Sequence, residues 1–515
     1  MQKTETIKGA YYDSVTLMLA ARELNKLDGV SSSSFSMGTE ANLRIMEGGG
    51  FDTAGLDAAP NDLIIGVLGD DADKLTAALE TAKEYLAKQP WKKDSGTSDY
   101  KPKSLDGALS ILPGANLAVV SVAGRYAGDL AESCLKKGLN VMLFSDNVPL
   151  EKEIELKKLA REKNLLVMGP DCGTVVIRGK ALGMANVCPT GPVGIVAAAG
   201  TGLQEAHIQL ERRGVGTLHG IGTGGRDVKR EVGGLTALAA MEALISDDEI
   251  RTLLVVGKPP APEIEQKIAD VARKAGKPVV LGFVGGITAD DEPPVYFCSG
   301  LEESAAVTAA LTLGTCPADA RRELGERDDK FIAGQLAKLG SRRGCLRGLY
   351  SGGTLCYEAQ LVASAKLGAV WSNAPLDARM KLADSLTSKG HTIVDYGEDE
   401  FTQGKLHPMI DGAFRCERVI AEARDPEVSV ILLDVVLGHG CNENPAGIVS
   451  SAVGEAREIC GDRIAFVASV CGTDADPQNA SAQRRILEDA GVVVCASNAQ
   501  AALLASSLIE GGIRA

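Results

Sequence analysis

The feature that most constrains this chain is an internal echo. Residues 193–206 read VGIVAAAGTGLQEA, and residues 347–359 read RGLYSGGTLCYEA. Each is a short apolar strand, then small residues with glycine, then threonine, then a helix carrying Glu-Ala. Further on, LLVVGKPPAP (253–262) is answered by ILLDVVLGHGCNENPA (431–446), and PVVLGFVGGIT (278–288) by IAFVASVCGTD (464–474). The same elements come twice in the same order, with an insertion in the second copy. Repetition on that scale points to two homologous units of alternating strands and helices. The expected fold is α/β and multidomain, with flavodoxin-like units over about 191–315 and 346–515. A charged helical stretch, RRELGERDDKFIAGQLAKLGSRRG (321–344), is expected to join them.

Two smaller units precede the duplication. Residues 105–190 place apolar runs at 117–122, 140–145 and 164–169, with helical patterns at 126–137 and 150–163 between them. That alternation predicts a parallel, Rossmann-like sheet. Residues 1–90 predict a small ferredoxin-like α/β domain. Its helix starts at the N-cap Asp13, a strand lies near Val30–Met37, and a second helix starts from Thr39. A strand at 62–68 and a helix from Asp71 to Lys88 complete it. The polar stretch 89–104, with two prolines, reads as a linker.

Composition excludes some functions. The net charge is −14, which argues against nucleic-acid binding. Twelve cysteines without a CxxC pair suggest neither a disulfide framework nor a zinc ribbon, and fit a reducing, cytoplasmic setting. No 18-residue apolar run exists, and the first residues do not read as a signal peptide, so no membrane attachment is expected.

The candidate chemistry sits at strand ends. Gly200, Thr201 and Gly202 in one copy, and Gly352, Gly353 and Thr354 in the other, open helices after strands. Helix N-termini present unpaired N–H groups and partial positive charge, so the pair suits a phosphate or carboxylate; the alternative is tight strand–helix packing alone. A third loop, GIGTGGRDV (220–228), places Gly224 and Gly225 before Arg226, which would clamp an anion or else pair locally with Asp227. Lys258 and His439 end strands at corresponding places in the two copies, where a cation and a titratable ring would stabilise a transferring group. Asn442 and Asn444 would orient a small polar substrate or cap helices. The acidic run Asp395, Glu398, Asp399, Glu400 would hold a metal or, by the simpler reading, be solvated; no metal site is assigned. In MGPDCGT (168–174), Pro170 fixes the exit from the strand, Asp171 is expected to accept backbone N–H groups, and Cys172 to pack beneath as structural support.

These residues resemble the succinyl-CoA synthetase superfamily of NDP-forming acyl-CoA ligases. MGPDCGT is similar to that family's Gly-Pro-Asn-Cys turn, VGIVAAAGTGLQEA to its phosphate-facing helix start, and GIGTGG to its Gly-Ile-Gly-Gly loop. The resemblance covers roughly 110–290, with a second-subunit-like half after 346. Within the superfamily the chain resembles the FdrA family, through MGTEAN (37–42), GTGGRD (222–227), YSGGTLCYEAQ (350–360) and GEDEFTQGKLHPMID (397–411). Three departures stand out. The ligases' phosphohistidine loop is matched here by GGITADDEPPVYFCSGLEESAAV, which has no histidine. Lys258 stands where the ligases place the glutamate that holds the phosphohistidine. The ligases' first strand and glycine loop, which cradle CoA, have no counterpart before 110, and no ATP-grasp domain is visible.

The FdrA resemblance implies a subunit of an oxamate carbamoyltransferase complex in allantoin-type nitrogen catabolism, with carbamoyl phosphate or phosphate as substrate. It also implies partner subunits and a homo-oligomer, with CoA binding left open. On that expectation the anion lies between the Gly200–Gly202 and Gly352–Thr354 turns. Arg226 and Lys258 balance its charge, and His439 or a backbone nest polarises the carbonyl. The alternatives are an acyl-CoA ligase that borrows its relay from a partner, and a non-catalytic scaffold or ligand-sensing subunit.

Overall fold

The computed structural model of the protein describes residues 1–10, 14–39, 42–43, 46–47, 49–53, 55–59, 62–88, 102, 104–286, 289–402 and 405–509. Asp13, most of the 89–104 linker and part of the segment from Thr39 fall outside the described residues. The chain divides into one unit of residues 1–108 with 403–406, and a second of residues 109–402 with 407–515.

The first unit holds strands β1 (Gln2–Ile7), β2 (Val30–Met37) and β3 (Leu63–Gly69) in the order β1-β3-β2. β3 is antiparallel to both neighbours, so β1 and β2 run parallel and are joined over the helix Ser14–Leu24. This is a split β-α-β arrangement, with three strands among the described residues. β3 is central because its run LIIGVLG is apolar on both faces. Leu63, Ile65 and Val67 pack under Leu17 and Leu24, and under Leu75 and Leu79 of the helix Ala72–Lys88. Ile64 packs with Met46 and Phe51.

Among the described residues the second unit contains three sheets. β4 (Leu117–Val120), β5 (Asn140–Leu143) and β6 (Val167–Met168) form a small parallel sheet with the helices Gly124–Lys136 and Leu150–Glu162. These strands are shorter than the apolar runs suggest. The seven-stranded sheet takes β7 (Thr174–Ile177), β8 (Lys180–Gly183), β9 (Val193–Ala197), β10 (Thr217–Gly222), β11 (Thr252–Gly257), β12 (Val279–Phe283) and β13 (Val295–Cys298), in the order β13-β12-β11-β9-β10-β7-β8. The six-stranded sheet takes β14 (Cys345–Tyr350), β15 (Val370–Trp371), β16 (His391–Asp395), β17 (Val428–Val436), β18 (Ala465–Cys471) and β19 (Val493–Cys495), in the order β15-β16-β14-β17-β18-β19.

The echo is thus an echo of topology. β10-β9-β11-β12-β13 and β16-β14-β17-β18-β19 are the same five-stranded parallel arrangement, strand order 2-1-3-4-5. The two copies differ at the outer edge of the second strand. β10 is extended there by the antiparallel hairpin β7–β8, through Gly220 opposite Val176, and β16 by the parallel β15. The hairpin therefore continues the first flavodoxin-like sheet, although the sequence groups it with 105–190. Val175 and Val176 are buried in that position.

The two large sheets share one core. Leu203, Ala206 and Leu210 of the helix Gly200–Glu211 belong to the same buried cluster as Leu355 and Ala359 of the helix Gly353–Leu367 and Leu504 and Leu508 of the helix Asn498–Ile509. The charged stretch 321–344 is mostly the second part of a helix, Pro317–Leu339, that packs on this core. It is tied down by Arg321 to Asp291 (2.7 Å) and Glu303 (2.9 Å), and by Arg327 to the buried Glu302 (2.5 Å).

Candidate functional site

In a 2-1-3-4-5 sheet the connections turn to opposite faces after strands 1 and 3, and ligands bind beyond the carboxyl ends at that switch point. In this chain the switch points lie beside β9 and β14, from which the Gly200 and Gly353 helices start. The shared core brings these two helix starts into contact. A Cβ on Gly202 would lie 3.2 Å from Thr354 Cγ2, and one on Gly352 would lie 2.9 Å from Thr201 Cγ2. The two copies therefore meet threonine against glycine at their N-termini. Thr354 is fully buried, and its Oγ1 has no hydrogen-bond partner among the described residues. The first-turn N–H groups of both helices have no intrahelical acceptor, so two partial positive ends converge on one place.

Charged side chains gather on the Gly353 side. Lys258, just past β11 in the first copy, reaches the second: its Nζ is 4.0 Å from the position of a Cβ on Gly353 and 5.5 Å from the Tyr357 ring centroid. Asp395 Oδ2 is 2.8 Å from that same Gly353 position. The Asp395 main chain is clamped by Asn373, whose side chain accepts from its N–H (2.9 Å) and donates to its carbonyl (2.8 Å). The expectation of a solvated acidic run fails at Asp395. It is buried, and burial, reinforced by nearby Glu398, pushes its pKa up to about 7. Glu398, Asp399 and Glu400 are exposed.

Asp434, in the middle of β17, holds the turn before the Gly353 helix. Its Oδ1 accepts from Ser351 N (2.8 Å), and its Oδ2 accepts from Ser351 Oγ (3.0 Å) and Gly352 N (2.8 Å). Arg415 Nη1 donates to Oδ1 at 2.6 Å and to the Asp434 carbonyl at 2.8 Å. The turn is thus fixed by a fully buried, charge-paired carboxylate. His407 closes the far side. Its Nε2 lies 2.7 Å, and Ser351 O 2.9 Å, from where a Cβ on Gly397 would sit. His407 Nδ1 accepts from Met409 N (3.2 Å), and burial, aided by Arg415, lowers its pKa to about 4.

The turn that leaves β6 lies within electrostatic range of this region, through Glu398 and Asp399. Asp171 adopts a left-handed backbone conformation (φ 55°), and its N–H donates to Ser145 O (3.0 Å). Its carboxylate takes no hydrogen bond among the described residues. Although the residue is exposed, desolvation by the surrounding protein, with Asp146, Asp399 and Glu398, raises its pKa to about 6, against the pull of Arg226. The expected role of accepting backbone N–H groups is not what this carboxylate does. Cys172 lies beneath the turn, where its thiol reaches Gly222 O (3.3 Å) and burial raises its pKa to about 12. Pro170 follows a cis peptide, and its carbonyl abuts Gly224.

Several expected anion ligands serve other purposes. Arg226 donates to Val148 O (2.8 Å) and pairs through Nε with the buried Glu153 (2.8 Å). Lys157, fully buried, binds Glu153 (2.9 Å), Asp227 (2.8 Å) and Thr223 O (3.0 Å). Asp227 in turn accepts from Thr236 N and Ala237 N at the start of the helix Leu235–Ile245. Arg226 therefore belongs to an ion-pair network that fastens the helix Leu150–Glu162 to the first flavodoxin-like sheet. Gly224 (φ 86°) is needed for the close approach of its loop to the Gly169–Pro170 turn, and Gly225 faces open space. Asn442 donates to Ile410 O (2.9 Å) and accepts from Asn444 N (2.9 Å), while Asn444 caps the helix Pro445–Cys460. Both asparagines are committed to the loop. His439 is exposed, with its N–H on Ala185 O (2.9 Å).

The site that remains is the pair of helix N-termini with Lys258, Asp395 and Thr354. Asp434, Arg415 and His407 were not foreseen, although a carboxylate inside the apolar strand VSVILLDVV is a sequence signal in its own right.

Over 510 residues the chain is 40% identical to the uncharacterized protein YahF of Escherichia coli strain K12, covering 98% of this chain and 97% of that one. The chain belongs to the YahF family. A family model described as CoA-ligase matches residues 349–508, and one described as AllF, heavy metal-associated domain, matches residues 1–102. The malate–CoA ligase alpha subunit of Methylorubrum extorquens is 28% identical over 186 residues, 34% of this chain and 60% of that one. The ADP-forming succinate–CoA ligase alpha subunit of Aquifex aeolicus is 28% identical over 233 residues, 44% of this chain and 72% of that one. This YahF-family chain thus carries a CoA-ligase-type domain over 349–508 and, over a third to under half of its length, is similar to the alpha subunits of CoA ligases. A heavy metal does not suit its first domain, because residues 1–102 contain neither cysteine nor histidine to ligate one. Among the described residues no helix is long and apolar enough to cross a membrane.

Proposed function

We propose that the chain handles an acyl phosphate: it holds the phosphoryl group between the Gly200 and Gly353 helix starts and exchanges the acyl group between phosphate and a second nucleophile. The observation that carries this reading is the packing of Thr354 against Gly202 and of Thr201 against Gly352 across the two copies, with Lys258 from one copy beside the helix start of the other. Two helix dipoles and one amine stabilise the charge that builds on the departing phosphate. The stretch matching the ligases' phosphohistidine loop has no histidine, which favours direct use of an acyl phosphate over a phosphoenzyme relay.

The acceptor separates two readings. In the ligase reading it is the thiol of CoA. That substrate would lie past β4, where the helix Gly124–Lys136 opens with exposed Arg125 stacked 4.8 Å from the Tyr126 ring centroid, a guanidinium and a ring suited to a phosphate and an adenine. In the carbamoyl reading the acyl phosphate is carbamoyl phosphate and the acceptor is oxamate; the match of residues 1–102 to the AllF model favours it. Partner subunits fit both, because the ligase relatives are alpha subunits and β4 is an edge strand with Val119 exposed.

A thermal-shift series with carbamoyl phosphate, oxamate, phosphate and CoA tests the proposal, since a ligand that binds the native state raises the melting temperature by mass action. Stabilisation by phosphate and carbamoyl phosphate is expected. An added shift with oxamate selects carbamoyl transfer, and one with CoA selects the ligase. No shift with either phosphate compound would sink the acyl-phosphate reading.

A further inference from the structure

Asp395 is an odd neighbour for an anion site. It ends β16 with its Oδ2 2.8 Å from the Cβ position of Gly353, the first residue of the helix whose N-terminus is to hold the phosphoryl group. An ionised carboxylate there would repel a phosphate dianion, because like charges cannot share one small site. Thr354 Oγ1, fully buried and without a hydrogen-bond partner among the described residues, lies 3.5 Å from the Cβ position of Gly202, at the contact of the two helix starts, and the Lys258 amine lies 4.0 Å from the Cβ position of Gly353.

The conflict resolves if the carboxyl group there is neutral when the anion is present. We infer that Asp395 is the proton-carrying group of this site: it takes up one proton as a tetrahedral dianion binds and passes that proton to the phosphate that departs. The inference rests on the acyl-phosphate reading. In the transfer, the bond between the nucleophile and the acyl carbon forms as the bond from that carbon to the phosphoryl oxygen breaks. The phosphate leaves with the electron pair and takes the Asp395 proton, ending as hydrogen phosphate. The proton lost by the nucleophile then returns to the Asp395 carboxylate, so the group is regenerated and every atom is accounted for.

The charges facing Asp395 suit the task. Glu398 on the following loop and Asp434 on β17 favour the protonated form, Lys258 beyond β11 and the Gly397 N–H (2.9 Å to Oδ1) favour the ionised one, and burial tips the balance towards a pKa near 7. Cys356 on the Gly353 helix lies within electrostatic range, with its own thiol held protonated by burial. His407, across Gly397, titrates well below this range, and Arg415 is spent on Asp434.

Sulfate is the probe, because it is a tetrahedral dianion with no proton of its own to exchange between pH 5 and 9. Its affinity for the full chain is measured by calorimetry from pH 6 to 8.5. Uptake of one proton makes wild-type affinity fall about ten-fold per pH unit above the midpoint near 7. Asp395→Asn, which keeps an acceptor for the Gly397 N–H, should bind sulfate with no such pH dependence and more tightly than wild type at pH 8.5. Glu398→Gln changes an exposed side chain and leaves the fold alone; it should move the wild-type midpoint to lower pH. A wild-type profile that is flat, or one that survives in Asp395→Asn or is unmoved by Glu398→Gln, overturns the role of Asp395. Absence of sulfate binding at every pH instead removes the anion site itself, and the acyl-phosphate reading with it.

Discussion

Lys157→Met should lower stability by about 3–5 kcal/mol, the usual cost of stripping one partner from a buried ion pair. Lys157 is the shared cation of Glu153 and Asp227, and the side chains of all three are fully buried. Without it, Glu153 keeps Arg226 at 2.8 Å, but Asp227 keeps only two helix N–H groups for its full charge. The variant should therefore unfold at clearly lower temperature and denaturant concentration than wild type. Adding Asp227→Asn should recover part of the loss, because the charge left unpaired is then gone while an acceptor remains at the start of the Leu235–Ile245 helix. Equal stability of the single and double variants would show that Asp227 does not depend on Lys157.

Lys258→Met should leave the fold nearly intact and weaken function most. Lys258 is half-buried at a strand end, and its amine faces the Gly353 helix start and the Tyr357 ring. Removing one charged contact of this kind typically costs roughly 100-fold to 1,000-fold in turnover. Phosphate-dependent turnover and sulfate affinity should both fall, with little change in melting temperature. The same substitution at Arg226 should do the reverse and act mainly on stability, since that guanidinium is held by Glu153 and the Val148 carbonyl. A folded Lys258→Met protein with unchanged sulfate affinity would place the anion elsewhere.

The contrast between these two cations shows where sequence reading stops. Both follow glycine-rich or strand-end patterns, and both are plausible anion ligands by type. Only the packing of the Leu150–Glu162 helix against the loop after β10 decides that Arg226 faces a buried glutamate. Asp395 is the opposite case. It reads as the first of an acidic run, which usually means a solvated face, yet β16 carries it into the interior and leaves its three acidic followers outside. Asn442 and Asn444 have the residue types of substrate ligands, but their loop consumes their hydrogen-bonding groups locally.

The duplication, the α/β class and the paired glycine–threonine helix starts are legible in the residues alone. Those features are local: strand runs, glycines and helix onsets are written in consecutive residues, and their repetition reveals the topology. Tertiary structure alone decided that the two helix starts touch, that Lys258 of one copy serves the other, and that the β7–β8 hairpin completes the first sheet. These depend on how two apolar faces close over one shared core. A carboxylate or a cation becomes a ligand, a strut or a proton carrier according to which buried neighbours that closure brings within a few ångströms.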